Sequence, residues 1–175
     1  MLSLSNPVFF EEVFKDYWEL MYQSAFRKIR DQAIVEDLIQ EIFVDLWNRR
    51  DSVQIRSGIK AYLLTAVKYQ VMRHIDEQTK SRRLDTDDQQ AYYEEDIFAF
   101  EELYSQIEVA VDALPPRAAL IFRLNRLEGY TVDEVAEKLK ISPQTVHNQL
   151  SKSLKLMRGE LKHVAPMLAV FLQSN

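Results

Sequence analysis

Apolar residues recur at helical spacing along most of the chain. Between Val8 and Arg30, Phe10, Val13, Phe14, Tyr17, Leu20, Met21 and Phe26 fall mostly three or four apart, which predicts a helix broken or kinked once. Asn6-Pro7 stands where its start should be, Asn as cap and Pro at the first helical position. A second stripe, Val35, Leu38, Ile39, Ile42, Phe43 and Leu46, predicts a helix over 32–49. Residues 50–59 carry β-branched side chains and Gly58 and are expected to form a loop. Ser57 or a neighbour then starts a third helix to about Gln78, with Tyr62, Leu63, Ala66, Val67, Val71 and Ile75 inward. From Ser81 to about Asp96 the pattern fails and the chain turns polar and acidic, the composition of a linker. Order is expected to resume near Ile97, with Phe98, Leu103, Ile107, Ala110, Val111 and Leu114. Pro115-Pro116 ends that helix and starts another over 117–128, stopped by Gly129.

The densest local information follows. Thr131-Val132-Asp133-Glu134 is a capping box, in which the Thr hydroxyl and the Glu carboxylate each satisfy a backbone N–H at the helix start. It opens a short helix, 132–139, that buries Val135, Ala136 and Leu139. Lys140-Ile141 forms the turn, and Ser142-Pro143 starts a further helix burying Val146, Leu150 and Leu154. A small residue at Ala136 lets two helices cross closely, as a helix-turn-helix requires. The competing interpretation of this segment is an ordinary helical hairpin.

Composition fits this all-α reading. Three glycines and five prolines leave little for the turns of an all-β fold. With no cysteine there is no disulfide, zinc-thiolate site or cysteine nucleophile, and His74, His147 and His163 are too far apart to suggest a metal set. No signal-peptide pattern and no apolar run of spanning length is visible, so a cytoplasmic protein without membrane insertion is expected. The net charge of −5 argues against a nucleic-acid partner until its distribution is seen. Residues 84–116 hold ten acids and no Lys or Arg, whereas 52–83 hold seven bases against two acids and 117–175 nine against five. DNA contact depends on the local potential of a face, and two segments are locally basic. An acidic linker between them is expected to lie against one of the basic surfaces.

Two helical blocks, an acidic linker and a terminal helix-turn-helix together resemble the extracytoplasmic-function (group 4) RNA polymerase sigma factors, over nearly the whole chain. Residues 33–47 look like that family's core-polymerase-binding segment, Asp-Leu-x-Gln-Glu-x-Phe-x-x-Leu-Trp, with Asp37, Leu38, Gln40, Glu41, Phe43, Leu46 and Trp47 at its fixed positions. Leu114-Pro115 with Phe122 and Leu124 look like the start of its fourth region, and 130–159 like its DNA-reading motif. The resemblance implies two small helical domains: 5–83, binding core polymerase and the minus-ten element, and 97–165, binding the minus-thirty-five element. Residues 84–96 would join them. The implied partners are core polymerase, through its β′ clamp helices, promoter DNA and an anti-sigma protein; no cofactor and no enzymatic activity are implied. The tail His163–Asn175 fits either anti-sigma docking or packing on its own domain.

Within this frame Asp37, Gln40, Glu41 and Trp47 are candidate polymerase contacts; Leu38 and Phe43 join them by the motif, although with Leu46 they suit the core better than a partner contact. For the minus-ten element, a loop over 50–59 would capture a flipped base. Arg56, Lys60, Lys68 and Arg73 would supply charge, and Tyr62 and Tyr69 would stack on single-stranded bases. A core position for Tyr62 stays open. The family's usual tryptophan near Tyr62 and asparagine near Lys68–Gln70 are not in their usual form. For the minus-thirty-five element, Gln144, Thr145, His147, Asn148, Ser151, Lys152 and Lys155 are the candidate base and phosphate contacts; Arg117, Arg123 and Arg126 are further phosphate candidates. The alternative function is a two-domain regulator that binds a duplex operator without polymerase. An enzyme is a remote third, since no phosphate loop, nucleophile elbow or convergent acid pair is present.

Overall fold

The computed structural model describes residues 4–81 and 89–160, all of its regular structure helical. Among the described residues, two compact units divide the chain, the first up to Asp85 and the second from Thr86.

Unit 1 is built from α1 (Pro7–Ile29), α2 (Gln32–Asn48) and α3 (Ile59–Ser81), each packed on the other two. The start of α1 lies where its cap signal put it: Asn6 Oδ1 accepts from the Val8 N–H at 2.9 Å. The expected break is absent, and α1 runs unbroken until Arg30 leaves it in the left-handed conformation (φ 59°). Asp31 caps α2 through the Ile34 N–H at 3.2 Å. Gly58, at φ 92°, turns the chain into α3, and its carbonyl accepts from the Tyr62 N–H at 3.1 Å. α3 is the central helix, with every residue from Ala61 to Val67 buried. Because it is covered on several sides, its sequence lacks one clean apolar stripe, and the inward set expected from periodicity needs a correction: Ile75 projects outward.

Unit 2 contains α4 (Gln89–Asp112), α5 (Pro116–Phe122), α6 (Val132–Leu139) and α7 (Pro143–Glu160). The expected linker over 84–96 is shorter than its composition suggested, because α4 begins at Gln89 rather than near Ile97. Gln, Ala and Glu are good helix formers, so the polarity of this stretch does not oppose a helix. Residues 84–88, Arg82, Arg83 and the tail His163–Asn175 lie outside the described residues. The single helix expected over 117–128 is α5 followed by a π-helical turn, Arg123–Leu127. Its wider ring is closed by the Glu128 N–H on the Arg123 carbonyl at 2.9 Å. Buried Asn125 donates from Nδ2 to the Tyr130 carbonyl at 2.7 Å, tying this turn to the residue that precedes the α6 cap. The core of the unit gathers Leu103, Ile107 and Val111 of α4, Ile121 and Phe122 of α5, and Val146, Leu150 and Met157 of α7.

Candidate functional site

On α2, helical geometry separates two faces. Val35, Leu38, Ile39, Ile42, Phe43 and Leu46 are buried, whereas Asp37, Gln40, Glu41 and Val44 are exposed on the opposite side. Leu38 and Phe43 therefore build the unit 1 core and do not present themselves to a partner. Trp47 is half-buried at the edge of the exposed face. Its ring lies 4.9 Å from that of Phe10, and the Arg50 guanidinium sits over the Trp47 ring, 4.2 Å from its centroid. Asp45, on the far edge, accepts from Arg49 Nη2 at 2.5 Å. Val44 was not marked out by periodicity. It is 60% exposed in the middle of the polar side, and an apolar residue breaking a polar stripe is the signal that would have found it.

The minus-ten candidates do not form one surface. Tyr62 and Tyr69 are 1% and 2% exposed, so neither offers a ring face to a nucleotide. Their stacking role is overturned, because both rings fill the space between α3 and its neighbours. Burial also pushes the Tyr69 phenol up, against the opposing pull of Arg73. Arg49 Nη2 reaches the Tyr62 hydroxyl at 3.4 Å. Arg56 is exposed in the loop, and Lys60 and Lys68 are half-buried on α3. Arg73 donates to Glu77 Oε1 at 2.7 Å. Lys68 and Arg73 are five residues apart, so they point about 140° from each other around the helix.

The helix-turn-helix is held by local bonds. Thr131 Oγ1 accepts from the Glu134 N–H at 3.2 Å, and Glu134 Oε2 accepts from the Thr131 N–H at 2.7 Å. Lys140 takes the left-handed conformation (φ 52°) at the end of α6, and the Ile141 N–H bonds the Ala136 carbonyl at 3.0 Å. Ala136 is buried where α6 meets α7. Ser142 Oγ then accepts from the Thr145 N–H at 3.1 Å and pairs with Thr145 Oγ1 at 2.8 Å. Thr145 is thus half-buried and occupied with the start of α7, which sets it apart from the other candidates. Gln144, His147, Asn148, Ser151, Lys152 and Lys155 are all exposed, within an arc of about 140° on α7 and opposite Val146, Leu150 and Met157. Gln144 Nε2 donates to Asn148 Oδ1 at 3.0 Å, which aligns two amides on this face. Of the arginines ahead of the motif, Arg117 is exposed, Arg123 pairs with Asp112, and Arg126 is half-buried, with burial lowering its guanidinium pKa. Among the described residues no group of His, Asp or Glu is placed to hold a metal ion.

Comparison with known proteins matches both units. Residues 13–81 fit the family model described as sigma-70 region 2, and residues 104–157 the model described as sigma-70, region 4. The chain is 26% identical over 164 residues to the ECF RNA polymerase sigma factor SigX of Bacillus subtilis (strain 168), covering 87% of this chain and 84% of that protein. It is also 26% identical over 148 residues to the RNA polymerase sigma factor SigV of the same organism, covering 83% of this chain and 87% of that one.

Proposed function

Because the chain belongs to the extracytoplasmic-function sigma factors, with regions 2 and 4 of the sigma-70 family in that order, we propose that α2 docks on core polymerase while α7 reads the minus-thirty-five element. A sigma factor directs transcription initiation, so polymerase core and promoter DNA are its partners. What carries the finer assignment is the pair of exposed faces on one chain: Asp37, Gln40 and Glu41 on α2, and Gln144 to Lys155 on α7.

The acidic face of α2 suits the β′ clamp helices of the core if these present basic side chains, with charge-assisted contacts at the edge and Trp47 as an aromatic anchor. On α7, Asn148 and Gln144 suit adenine edges, His147 a guanine, and Lys152 and Lys155 phosphates. Arg56, Lys60, Lys68 and Arg73 remain the charge available to the minus-ten strand, without aromatic stacking from Tyr62 or Tyr69. Sequestration by an anti-sigma protein belongs to this proposal on family resemblance. So do a cytoplasmic site of action and a purely non-enzymatic role; no described helix is long and apolar enough to cross a membrane.

The test is a promoter mobility shift run with and without purified core. A sequence-specific complex that needs core, and that Glu41→Lys removes, is the expected result. Equal, core-independent binding to the same duplex would instead make the chain a conventional regulator.

A further inference from the structure

The polar side chains on the outer face of α7 do not all meet a ligand on equal terms. Gln144 is the second residue of the helix and Asn148 stands four residues on, so the two amides are neighbours along the exposed face. Gln144 Nε2 donates to Asn148 Oδ1 at 3.0 Å. From Ser142 to Gly159 the chain has no Asp or Glu, so no carboxylate in this stretch competes for either amide. An exposed asparagine without such a bond samples several rotamers and can present either edge of its amide. Here the Gln144 donor fixes which way the Asn148 oxygen points.

The bonded amide leaves a particular pattern open. An amide oxygen carries two lone pairs and its nitrogen two protons. Gln144 occupies one lone pair of Asn148 Oδ1, and the other lies on the same edge as an Nδ2 proton. That edge sets an acceptor beside a donor, the complement of the adenine N6 amino group and N7 in the major groove. Guanine has acceptors at both places, so Oδ1 would face O6 with no proton between them. A chain of bonds from Gln144 through Asn148 to a base also polarises each link and strengthens the next.

We propose that these two amides read a single adenine: Asn148 contacts the base, and Gln144 is a positioning residue that holds the Asn148 amide in its adenine-reading orientation. The proposal rests on the assignment of α7 to the minus-thirty-five element and goes beyond it, by joining two candidate base contacts into one reading unit. An amide pair of this spacing with no other role would add slightly to helix stability and nothing to base choice.

Holoenzyme assembled from purified core and the full-length chain is used to select minus-thirty-five duplexes from a randomised pool, alongside Asn148→Ala, Gln144→Ala, Gln144→Glu and the double alanine variant. Discrimination is the ratio of affinities for duplexes with adenine or guanine at each selected position, from which uniform changes in binding cancel. Both side chains are exposed, and a thermal melt checks that each variant folds as the parent does. Asn148→Ala should lower the ratio roughly ten-fold at one position. Gln144→Ala should lower it at that same position, and the double variant should lose no more than Asn148→Ala alone. Gln144→Glu keeps the side-chain length but has no proton to donate at neutral pH. It should lose discrimination as alanine does, which a merely structural role would not produce. Loss at a different position in Gln144→Ala, or losses that multiply in the double variant, would overturn the proposal and leave two independent readers. Unchanged discrimination in either Gln144 variant would overturn it and leave a surface pair. If no amide variant alters discrimination, Lys155→Ala separates the two levels. Weaker binding to every duplex would keep α7 on the DNA and sink the proposal alone, whereas no effect would remove the assignment of α7 as well.

Discussion

Asn148 and Lys155 stand on the same exposed side of α7, yet their chemistry predicts different mutant phenotypes. An amide that pairs with a base edge discriminates by about 1–3 kcal/mol, so Asn148→Ala should relax preference at one promoter position in a binding-site selection. A lysine that neutralises phosphate contributes to every sequence alike. Lys155→Ala should therefore weaken all promoters together and reduce the salt slope of binding by about one; a loss confined to one position would contradict that role. The outward set on α7 was legible because a single amphipathic helix sorts its residues by angle. Tyr62 was not legible: a tyrosine beside Lys60 and Lys68 suits a stacking platform and a core position equally, and only packing decides. With the ring buried, Tyr62→Ala should lower stability by about 3–5 kcal/mol, the range for deleting a large core aromatic, in a thermal or urea melt. A neutral melt would mean that the ring is not part of the core.

Helix boundaries with side-chain signals could be read in advance, and those without could not. Asn6-Pro7, the Thr131–Glu134 box and Ser142-Pro143 all mark observed starts, because a cap is a local bond between neighbours in sequence. The π-helical turn at Arg123–Leu127 left no such mark, since five residues are too few for a change of period to show. The early start of α4 was hidden by its acids, which resemble a linker in composition while remaining compatible with a helix. Two predictions belong to these elements. Thr131→Ala removes half of the capping box and should cost about 1 kcal/mol in a denaturant melt. Ala136→Leu should overpack the buried crossing of α6 and α7 at about 1–3 kcal/mol and weaken promoter binding, while association with core persists through unit 1. Equal loss of core association and promoter binding would show that the damage is not confined to unit 2.

At the scale of the molecule, the net charge of −5 is a poor guide to function, because acids and bases are segregated along the chain. The N-terminal 51 residues hold ten acids against six bases, and residues 117–175 hold nine bases against five acids. The first bias suits a basic protein partner and the second a polyanion. What composition left open was how each bias is displayed. On α2 the acids line an exposed face beside Trp47, whereas on α3 the basic residues diverge around the helix. Lys60, Lys68 and Arg73 are thus spread around α3, whereas the acids of α2 and the outward residues of α7 each share one face. Run-off transcription with purified core enzyme on a panel of promoter templates tests it most directly. Added chain should produce discrete transcripts that core alone does not make, and Glu41→Lys should abolish them. Initiation at the same sites and levels with or without the chain would contradict it.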